Sequence, residues 1–462
     1  MKTLIKNATI VTSQDIYFSN LIIENDKIVK ITDSNMDEDN YNCIIDATNK
    51  YVLPGVIDPH THFEMSCKNG IQSSDDFFTG TVAGACGGVT SVIDFKLQDY
   101  GNTLENAIRD HMVIAKKSVL DYSFHVCISD PTIETLNEIK KIIKDYGITS
   151  FKVFMTYDFK INDLEFLNIL QQVKSYGGIL QLHAENHDMI QYMNKKFESE
   201  NKLAPHYHAK SRPNIAEEEA IFRAIKMNEL LDAKLYIVHL SSKEGLRVIK
   251  DAQSTGISVY AETCPQYLVL NDNYNNETGW NIAKYSMSPP VRTELDNMAL
   301  WEGIRDGTIQ TIATDHCPFD FYGTKDKFGK DDYKKIPGGL PGIETSLMLV
   351  HSEGVVKKRI SLTKLVEVMS TNIAKIFKMS NKGEIKPGKD ADIVIFDPNQ
   401  EFIISKDKLH MNVDYSPYEG MKVIGMPYTV FSMGKKIAYW NQDKNMVDFC
   451  GIDCKGSFIE RK

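Results

Sequence analysis

The chain has 462 residues, of which 42% are hydrophobic and 25% are charged, and this composition is that of an ordinary globular protein. Its formal net charge of −9 argues against nucleic acid or an anionic membrane as a partner, because both bind basic surfaces. The length exceeds one ordinary core and fits a large barrel with a smaller companion domain.

The cysteines and the apolar segments set the expected compartment. The eight cysteines are scattered, and no CxxC pair occurs, so we expect reduced thiols and a cytoplasmic location. The N-terminal sequence MKTLIKNATIVTSQDIY has neither a sustained apolar core nor a cleavage site, so no signal peptide is expected. No apolar run reaches the roughly 18 residues that a membrane span requires, so we expect no membrane segment.

The predicted elements begin with short β-like pieces and continue with alternating strands and helices. The first fifty residues contain TLIKNATIV, NLIIENDKIVKI and CIIDATNKYVLP, separated by Asn and Asp turns. From residue 55 onward the candidate strands are GVIDPHTHF, GVTSVIDF, DYSFHVCIS, ITSFKVFM, GGILQLHAE, AKLYIVHL, GISVYAET and GTIQTIATDH. Helical patterns between them include LENAIRDHMVIAKKSV, DLEFLNILQQVKSYG, EEEAIFRAIKMNELLD and KEGLRVIKDAQ. Eight strands that alternate with helices predict a (β/α)8 barrel of the TIM type, an α/β fold.

The C-terminal part returns to a β pattern. KPGKDADIVIFDPN and MPYTVFSMGKKIAYW read as strands, and pairing them with the N-terminal strands gives a small β-sandwich built from both chain ends. We therefore predict a sandwich domain of residues 1–54 and 385–462, and a catalytic barrel of residues 55–384. The charged, glycine-rich stretch 319–341 is a candidate lid or active-site loop.

A set of six polar residues marks the candidate site, because they lie on five predicted strands, most of them at the C-terminal ends. That face of a barrel carries its active site. Residues at i and i+2 of a strand share a face, so the two histidines of DPHTH can converge on one ion. Each residue alone has an ordinary structural explanation, whereas the joint pattern of imidazole and carboxylate groups suits zinc or a similar divalent ion. The six are His60, His62, Lys152, His183, His239 and Asp315.

Lys152 is the unusual member, because the surrounding SFKVFM is otherwise apolar and lysine is almost never buried unpaired. Two divalent ions about 3.5–4 Å apart need bridging anions between them. A neutral amine, its pKa lowered by burial, can add carbon dioxide to form an anionic carbamate with two oxygens. We therefore predict that Lys152 carries a carbon dioxide-derived carbamate that bridges two ions.

Several motifs together resemble the dihydropyrimidinase and hydantoinase family of the amidohydrolase superfamily, and they cover nearly the whole chain in order. They are GVIDPHTHFEM, SFKVFMTY, QLHAEN, VHLSS, ETCPQYL, SPPVR, ATDHCPF and KGEIKPGKDADIVIFDP. The resemblance implies a metal-dependent enzyme that opens the ring amide of dihydropyrimidines or 5-substituted hydantoins to N-carbamoyl amino acids, with a bridging hydroxide as nucleophile. It also implies two metal ions per chain, usually zinc, and suggests a homotetramer.

The resemblance assigns roles residue by residue. His60 and His62 would hold the more buried ion with Asp315, and His183 and His239 would hold the other, with Lys152 between the two. Asp315 would also be the general base that passes a proton to the leaving nitrogen. Tyr157 would stabilise the oxyanion and touch the substrate.

Two further positions resemble the family's grip on the ring amide. Ser288 matches the SPP motif, and Gly338 stands in KIPGGLPG where the family has asparagine. The PGG sequence resembles hydantoinase-like members that act on aryl-substituted rings. We place His206 and His208 of PHYHAKSRP at the rim of the site and not among the ligands.

Three alternatives differ by particular residues. A dihydroorotase would bind a substrate carboxylate and has arginine two residues after the HxH motif, where this chain has Glu64, which we expect to repel that carboxylate. We expect Arg292 to face away from the pocket and anchor its loop. An allantoinase has asparagine in the region of Glu64, so its match is also poorer. The non-enzymatic scaffold relatives of the family have lost metal ligands, whereas this chain keeps all six.

Overall fold

The computed structural model describes residues 1–34, 37–67, 70–276 and 279–462. Within these residues two sheets account for seventeen strands. The terminal sheet contains β1 (Lys2–Val11), β2 (Ile16–Glu24), β3 (Lys27–Thr32), β4 (Cys43–Asp46), β5 (Tyr51–Pro54), β14 (Ile393–Ile403), β15 (Lys422–Ser432), β16 (Lys435–Asn441) and β17 (Met446–Phe449). The barrel sheet contains β6 (Val56–Thr61), β7 (Val89–Leu97), β8 (Asp121–Cys127), β9 (Ser150–Phe154), β10 (Ile179–His183), β11 (Leu235–Ile237), β12 (Val259–Thr263) and β13 (Thr311–Ile312).

The barrel strands pair in sequence order, each parallel to the next. The first and last strands meet through a parallel bridge between Thr61 and His316, and the amide of His62 donates to the carbonyl of His316 at 2.9 Å. Almost every strand residue is buried, because helices cover the outside and side chains fill the inside. All eight predicted barrel strands are therefore confirmed.

Helices lie between the barrel strands, and they include the four stretches predicted from periodicity. The longer ones are α1 (Phe77–Cys86), α2 (Leu104–Ala115), α3 (Ile133–Tyr146), α4 (Asp163–Ser175), α5 (His187–Ser199), α7 (Asn214–Glu229), α8 (Lys243–Ser254) and α10 (Glu294–Asp306). The shorter ones are α6 (Tyr207–Lys210), α9 (Pro265–Val269), α11 (Asp326–Gly329), α12 (Ser346–Val350), α13 (Leu362–Val366) and α14 (Asn372–Ile376). Helical turns occur at Glu38–Asn40, Asp272–Asn276, Gly279–Tyr285, Phe321–Lys325, Tyr333–Lys335, His351–Val356, Glu367–Thr371 and Lys406–Lys408. Among the helices of the described residues, none is both long and apolar enough to cross a membrane.

Both chain ends form the terminal sheet, in the order β17-β16-β15-β14-β5-β1-β2-β3, with β4 beside β1. The predicted piece NLIIENDKIVKI is in fact a hairpin, because Asn25 adopts a positive φ of 56° and turns the chain between β2 and β3. The sheet has a core of its own that includes Ile5, Leu21 and Ile393. The predicted fold class, a TIM-like barrel with a β-sandwich from both termini, is confirmed.

The last residues leave the terminal sheet and pack under the barrel. Phe458 forms a parallel bridge with Tyr122 at the start of β8. The fully buried Arg461 donates to the hydroxyls of Ser123 and Ser150, at 2.9 and 2.8 Å, and to the carbonyl of Phe124. This tail links the two proposed domains, residues 1–54 with 385–462 and residues 55–384.

Candidate active site

The six residues singled out by the sequence come together at the C-terminal face of the barrel. His60 lies in β6 and His62 directly after it, Lys152 lies within β9, and His183 ends β10. His239 and Asp315 follow the ends of β11 and β13. The parallel register therefore delivers to one place side chains that are up to 255 positions apart in the sequence, from 60 to 315.

Three residues of this region adopt the left-handed backbone conformation that non-glycine residues rarely occupy. The φ angles are 72° at Tyr157, 39° at His239 and 52° at Asp315. Such conformations cost about 1–3 kcal/mol each and tend to cluster at functional sites. All three follow strand ends, where the chain turns out of the barrel and the side chain is directed toward the centre of the face.

A first group of donor atoms is built around Asp315. Its Oδ1 lies 3.1 Å from Nε2 of His60 and 3.1 Å from Nε2 of His62, and the three donor atoms lie within 4.8 Å of one another. The Nζ of Lys152 lies 3.1 Å from the same Nε2 of His60. His60 is thus the residue at which the carboxylate and the lysine meet.

A second pair of donors comes from the neighbouring strands. Nδ1 of His183 faces Nε2 of His239 at 2.9 Å, and the His239 ring centroid lies 5.5 Å from that of His60. Nε2 of His183 contacts Glu185 at 2.8 Å. Nε2 therefore carries the proton of the neutral ring, and Nδ1 keeps a lone pair. Nδ1 of His239 is buried and has no partner within the described chain.

The protonation states of these groups suit cation binding. Burial lowers the pKa of His183, and lowers those of His60 and His239 well below the ordinary value, so the imidazoles are neutral. Burial opposes the charge of Asp315, yet the neighbouring His60 and His62 lower its pKa overall. Burial also lowers the pKa of Lys152.

The donor set fits divalent metal ions. Neutral imidazoles and an ionised carboxylate are zinc ligands, and they converge here from four strands with lone pairs directed at one another. Two groups of ligands, joined by Lys152 and His60, exceed what one tetrahedral ion uses.

Several partners of these residues were not predicted from the sequence. Glu262, at the end of β12, contacts Nδ1 of His60 at 2.7 Å and accepts from the hydroxyl of Tyr236 at 2.8 Å. Burial raises the pKa of Glu262 to about 8, whereas the hydrogen bonds from Tyr236 and from the amide of His239 favour its ionised form, in which it accepts from Nδ1 of His60. Carboxylates that accept from the second ring nitrogen of a ligand histidine fix its orientation. Glu262 therefore leaves Nε2 of His60 free for an ion.

Glu185 fixes the orientation of His183 in the same way, and it also pairs with Arg212. Arg212 donates to Glu185 at 2.5 Å, and its guanidinium carbon lies 5.5 Å from the ring centre of Tyr157. Although burial works against ionisation of Glu185, Arg212 and His183 lower its pKa to about 2. Glu185 was visible in QLHAEN, but Arg212 lies 27 positions later in PHYHAKSRP, where no sequence pattern indicates its pairing with Glu185.

The predicted substrate-binding residues lie beside the six candidate ligand residues. Burial raises the pKa of Tyr157 to about 12, opposed by Arg212 and by a hydrogen bond involving Ser288. The Tyr157 ring lies 5.2 Å from that of His183. Gly338 is placed so that an added Cβ would meet only the Cα of Met287, at 3.8 Å, which puts it beside Ser288. Tyr157, Ser288 and Gly338 thus lie on one side of the ligand cluster, the name used here for the six candidate metal ligands.

Two sequence expectations about charges have different outcomes. Glu64 turns away from the pocket, because its φ is 51° and its carboxylate pairs with Lys117 at 2.8 Å. It therefore does not supply the repulsion that we expected from the sequence. Arg292 donates to the hydroxyl of Ser241 at 3.1 Å and to the carbonyl of Arg212, so it anchors the chain as expected.

Comparison with known proteins identifies the family. The model of the amidohydrolase family matches residues 51–437. The chain belongs to the amidohydrolase family. A D-hydantoinase of Geobacillus stearothermophilus is 44% identical over all of this chain and 97% of the relative, and a D-phenylhydantoinase of Escherichia coli K12 is 39% identical over 100% and 98%.

Solved amidohydrolase structures show the same relationship. The dihydropyrimidinase of Brevibacillus agri superposes with a TM-score of 0.95 at 42% identity, covering 100% of this chain and 99% of the other. The resemblance to dihydropyrimidinases and hydantoinases is therefore confirmed, and so is the prediction of a cyclic amidohydrolase.

Proposed function

We propose that the chain hydrolyses the ring amide of uncharged cyclic ureides, 5-substituted hydantoins and dihydropyrimidines, to N-carbamoyl amino acids. The observation that carries this proposal is the convergence of six ligand residues beside Tyr157 in a chain similar throughout to D-hydantoinases. The names of the relatives favour the D enantiomer of a substituted hydantoin. A non-enzymatic scaffold is disfavoured, because it would have no use for this set.

Two divalent ions, with zinc expected, would be held by the six residues. His60, His62 and Asp315 would hold one ion, and His183 and His239 the other. Lys152 would lie between them as a carbamate. Its amine is buried beside His60 and packs on Phe95, whose ring centre is 4.0 Å from Nζ. A neutral amine in this place can take up carbon dioxide, and the product supplies the negative charge that two cations require.

When bound, the ions would supply an activated water at neutral pH and polarise the ring carbonyl. The residues of the chain handle the protons. Asp315 is ionised and central, so it would accept a proton from the attacking water and deliver it to the leaving ring nitrogen. The contact of Glu262 with His60 keeps that imidazole in the tautomer that leaves Nε2 available.

The Tyr157 hydroxyl would donate to the oxygen on which negative charge develops. Its high pKa keeps it protonated at any ordinary assay pH, so it remains a donor. Ser288 and Gly338 would bind the –NH–CO– edge of the ring through backbone groups. Their amide nitrogens donate to no other residue of the described chain, so they are available to a ligand.

The charges around Tyr157 favour an uncharged substrate. Arg212 is the cation beside the ring, but Glu185 neutralises it at 2.5 Å, and Arg292 is bound to Ser241. A substrate carboxylate beside Tyr157 would meet an Arg212 whose charge Glu185 already neutralises, so it would lose hydration with little compensation. Neutralisation of Arg212, and not repulsion by Glu64, is therefore the reason to prefer a ureide to dihydroorotate.

The experiment is a comparison of specificity constants for dihydrouracil, D-5-phenylhydantoin, allantoin and dihydroorotate at one pH and salt concentration. We expect kcat/KM for dihydrouracil or for phenylhydantoin to exceed kcat/KM for allantoin and for dihydroorotate by at least about tenfold, which corresponds to about 1.4 kcal/mol. A constant for dihydroorotate or allantoin equal to the best ureide would overturn the substrate assignment.

We also propose a homotetramer in the cytoplasm. Large apolar side chains are exposed on the outside, including Phe18 at 66%, Leu164 at 67% and Leu230 at 75%, and subunit contacts would cover such residues. All eight cysteines are free, as reduced thiols require. Light scattering should give about four times the 52.4 kDa chain mass, whereas a monomer at assay concentration would contradict the tetramer.

A further inference from the structure

A buried lysine lies within the segment 319–341, outside the ligand cluster. Lys325 ends the helical turn Phe321–Lys325 and is fully buried, although other lysines of this segment, such as Lys327 and Lys330, are exposed. Within the described chain it forms no ion pair with a carboxylate. A lysine is rarely buried without such a partner, so its position requires an explanation.

The Lys325 amine joins two separate backbone segments. Nζ donates to the carbonyl of Ser286 at 3.0 Å and to the carbonyl of Gly339 at 2.9 Å. The two segments also contact each other directly, because the amide of Gly339 donates to the same carbonyl of Ser286 at 3.0 Å. The Lys325 side chain therefore holds the backbone at Ser286 and the backbone at Gly339 next to each other.

This junction is immediately next to the two proposed substrate-binding positions. Ser288 is two residues beyond Ser286, and Gly338 directly precedes Gly339. The intervening Met287 is held from the other side, since its carbonyl accepts from Nε2 of His208 at 2.8 Å. The spacing between the amides of Ser288 and Gly338 is thus set by hydrogen bonds to side chains from other segments.

The chemistry of the Lys325 amine suits this role. Burial lowers the pKa of Lys325 to about 7, against the opposing effect of Cys317. A neutral amine keeps two N–H donors, which equals the number of carbonyls that it meets. Gly339 is also closely packed against Cys317, because a Cβ at position 339 would lie 2.3 Å from the carbonyl oxygen of Cys317.

We propose that Lys325 is a positioning residue for substrate binding, which holds the backbone of 286–288 against that of 338–339 so that both can grip one ring amide. The inference rests on the proposed function and adds to it a residue that touches neither the substrate nor the ions. The proposal predicts that replacement of Lys325 weakens substrate binding and leaves the six candidate metal ligands in place.

The test is Lys325→Met, which keeps an unbranched side chain one atom shorter than lysine and removes the donors, with Lys330→Met as the matched control from the same segment. KM for dihydrouracil should rise about tenfold, the effect of roughly one lost buried hydrogen bond, while kcat stays within about twofold. Metal content should equal that of the wild type. Lys330→Met should match the wild type in every respect.

A second variant protects the test against misfolding. Lys325→Gln retains an amide donor on a shorter side chain, so its KM should lie between those of the wild type and Lys325→Met. Unchanged KM in both variants, or reduced kcat with lost metal, would overturn the positioning role. Recovery of both variants only as unfolded protein would also overturn it, by assigning Lys325 to folding. Inactivity of the metal-loaded wild type on every ureide would instead refute the proposed function.

Discussion

Lys152 and His60 lie with Nζ and Nε2 only 3.1 Å apart, in the fully buried interior of the barrel. The lysine packs over Phe95 at 4.0 Å and forms no salt bridge with any carboxylate of the described residues. A charged ammonium in this place would be poorly compensated and would repel any cation bound by the imidazole. The relationship is consistent with a neutral amine that has been converted into an anionic ligand.

Replacement of Lys152 by alanine should remove both metal and activity, because the bridging anion is lost. Elemental analysis and the dihydrouracil assay measure the two effects, and Lys160→Ala, an exposed lysine eight residues later, is the control. A short-chain carboxylic acid such as propionate should restore part of both. A Lys152→Ala protein with wild-type metal content and turnover would contradict the carbamate.

Tyr157→Phe keeps the ring that contacts His183 and Phe159 but removes the donor to the oxyanion. Loss of one such donor typically lowers turnover by a factor of about 10² to 10³, so kcat should fall by that amount. Steady-state kinetics check the prediction, and metal analysis confirms that the site is intact. An unchanged turnover number would remove Tyr157 from the mechanism.

Gly338→Asn introduces the residue that the family has at this position. A side chain fits, because a Cβ would meet only the Cα of Met287 at 3.8 Å, so we expect a folded protein with its metal. The side chain would narrow the space beside Ser288, and the ratio of kcat/KM for phenylhydantoin to that for dihydrouracil should fall several-fold, on the order of 1 kcal/mol. An identical ratio would show that Gly338 acts through its backbone alone.

Lys325 also predicts a pH dependence of stability. Its pKa is about 7 in the folded chain and near the ordinary 10.5 when unfolded, so between these values the unfolded chain binds the extra proton. The wild type should therefore gain stability relative to Lys325→Met as the pH rises from 7 to 9. Urea midpoints of the two proteins at both pH values provide the measurement. If the advantage of the wild type over Lys325→Met in urea midpoint shrinks as the pH rises, Lys325 is not a buried, neutral amine.

The barrel and the convergence of the six polar residues were predictable because both follow from strand periodicity. The polar residues of DPHTH, QLHAEN and VHLSS interrupt apolar strands, and a parallel barrel brings such ends together. The supporting residues were not predictable, because their partners are remote: Glu262 is 202 positions from His60, and Arg212 is 27 from Glu185. Their pairing depends on how loops pack, which periodicity does not describe.

The expectation for Glu64 failed for a local reason. It rested on position in the sequence alone, since Glu64 stands two residues after the HxH motif, where a dihydroorotase has arginine. The backbone instead turns at Glu64, with φ at 51°, and its carboxylate meets Lys117 beyond the end of α2. The expectation that Arg292 anchors its loop agrees with the structure, since Arg292 donates to the hydroxyl of Ser241.

Hydrolysis of a cyclic ureide by this chain is expected to depend on two metal ions held by these six residues. The measurement is to strip the protein with a chelator and follow dihydrouracil hydrolysis while zinc is added back in known equivalents. We expect negligible activity without metal and a rise that levels off near two ions per chain. Full activity in protein with a reproducible metal content near zero would contradict it.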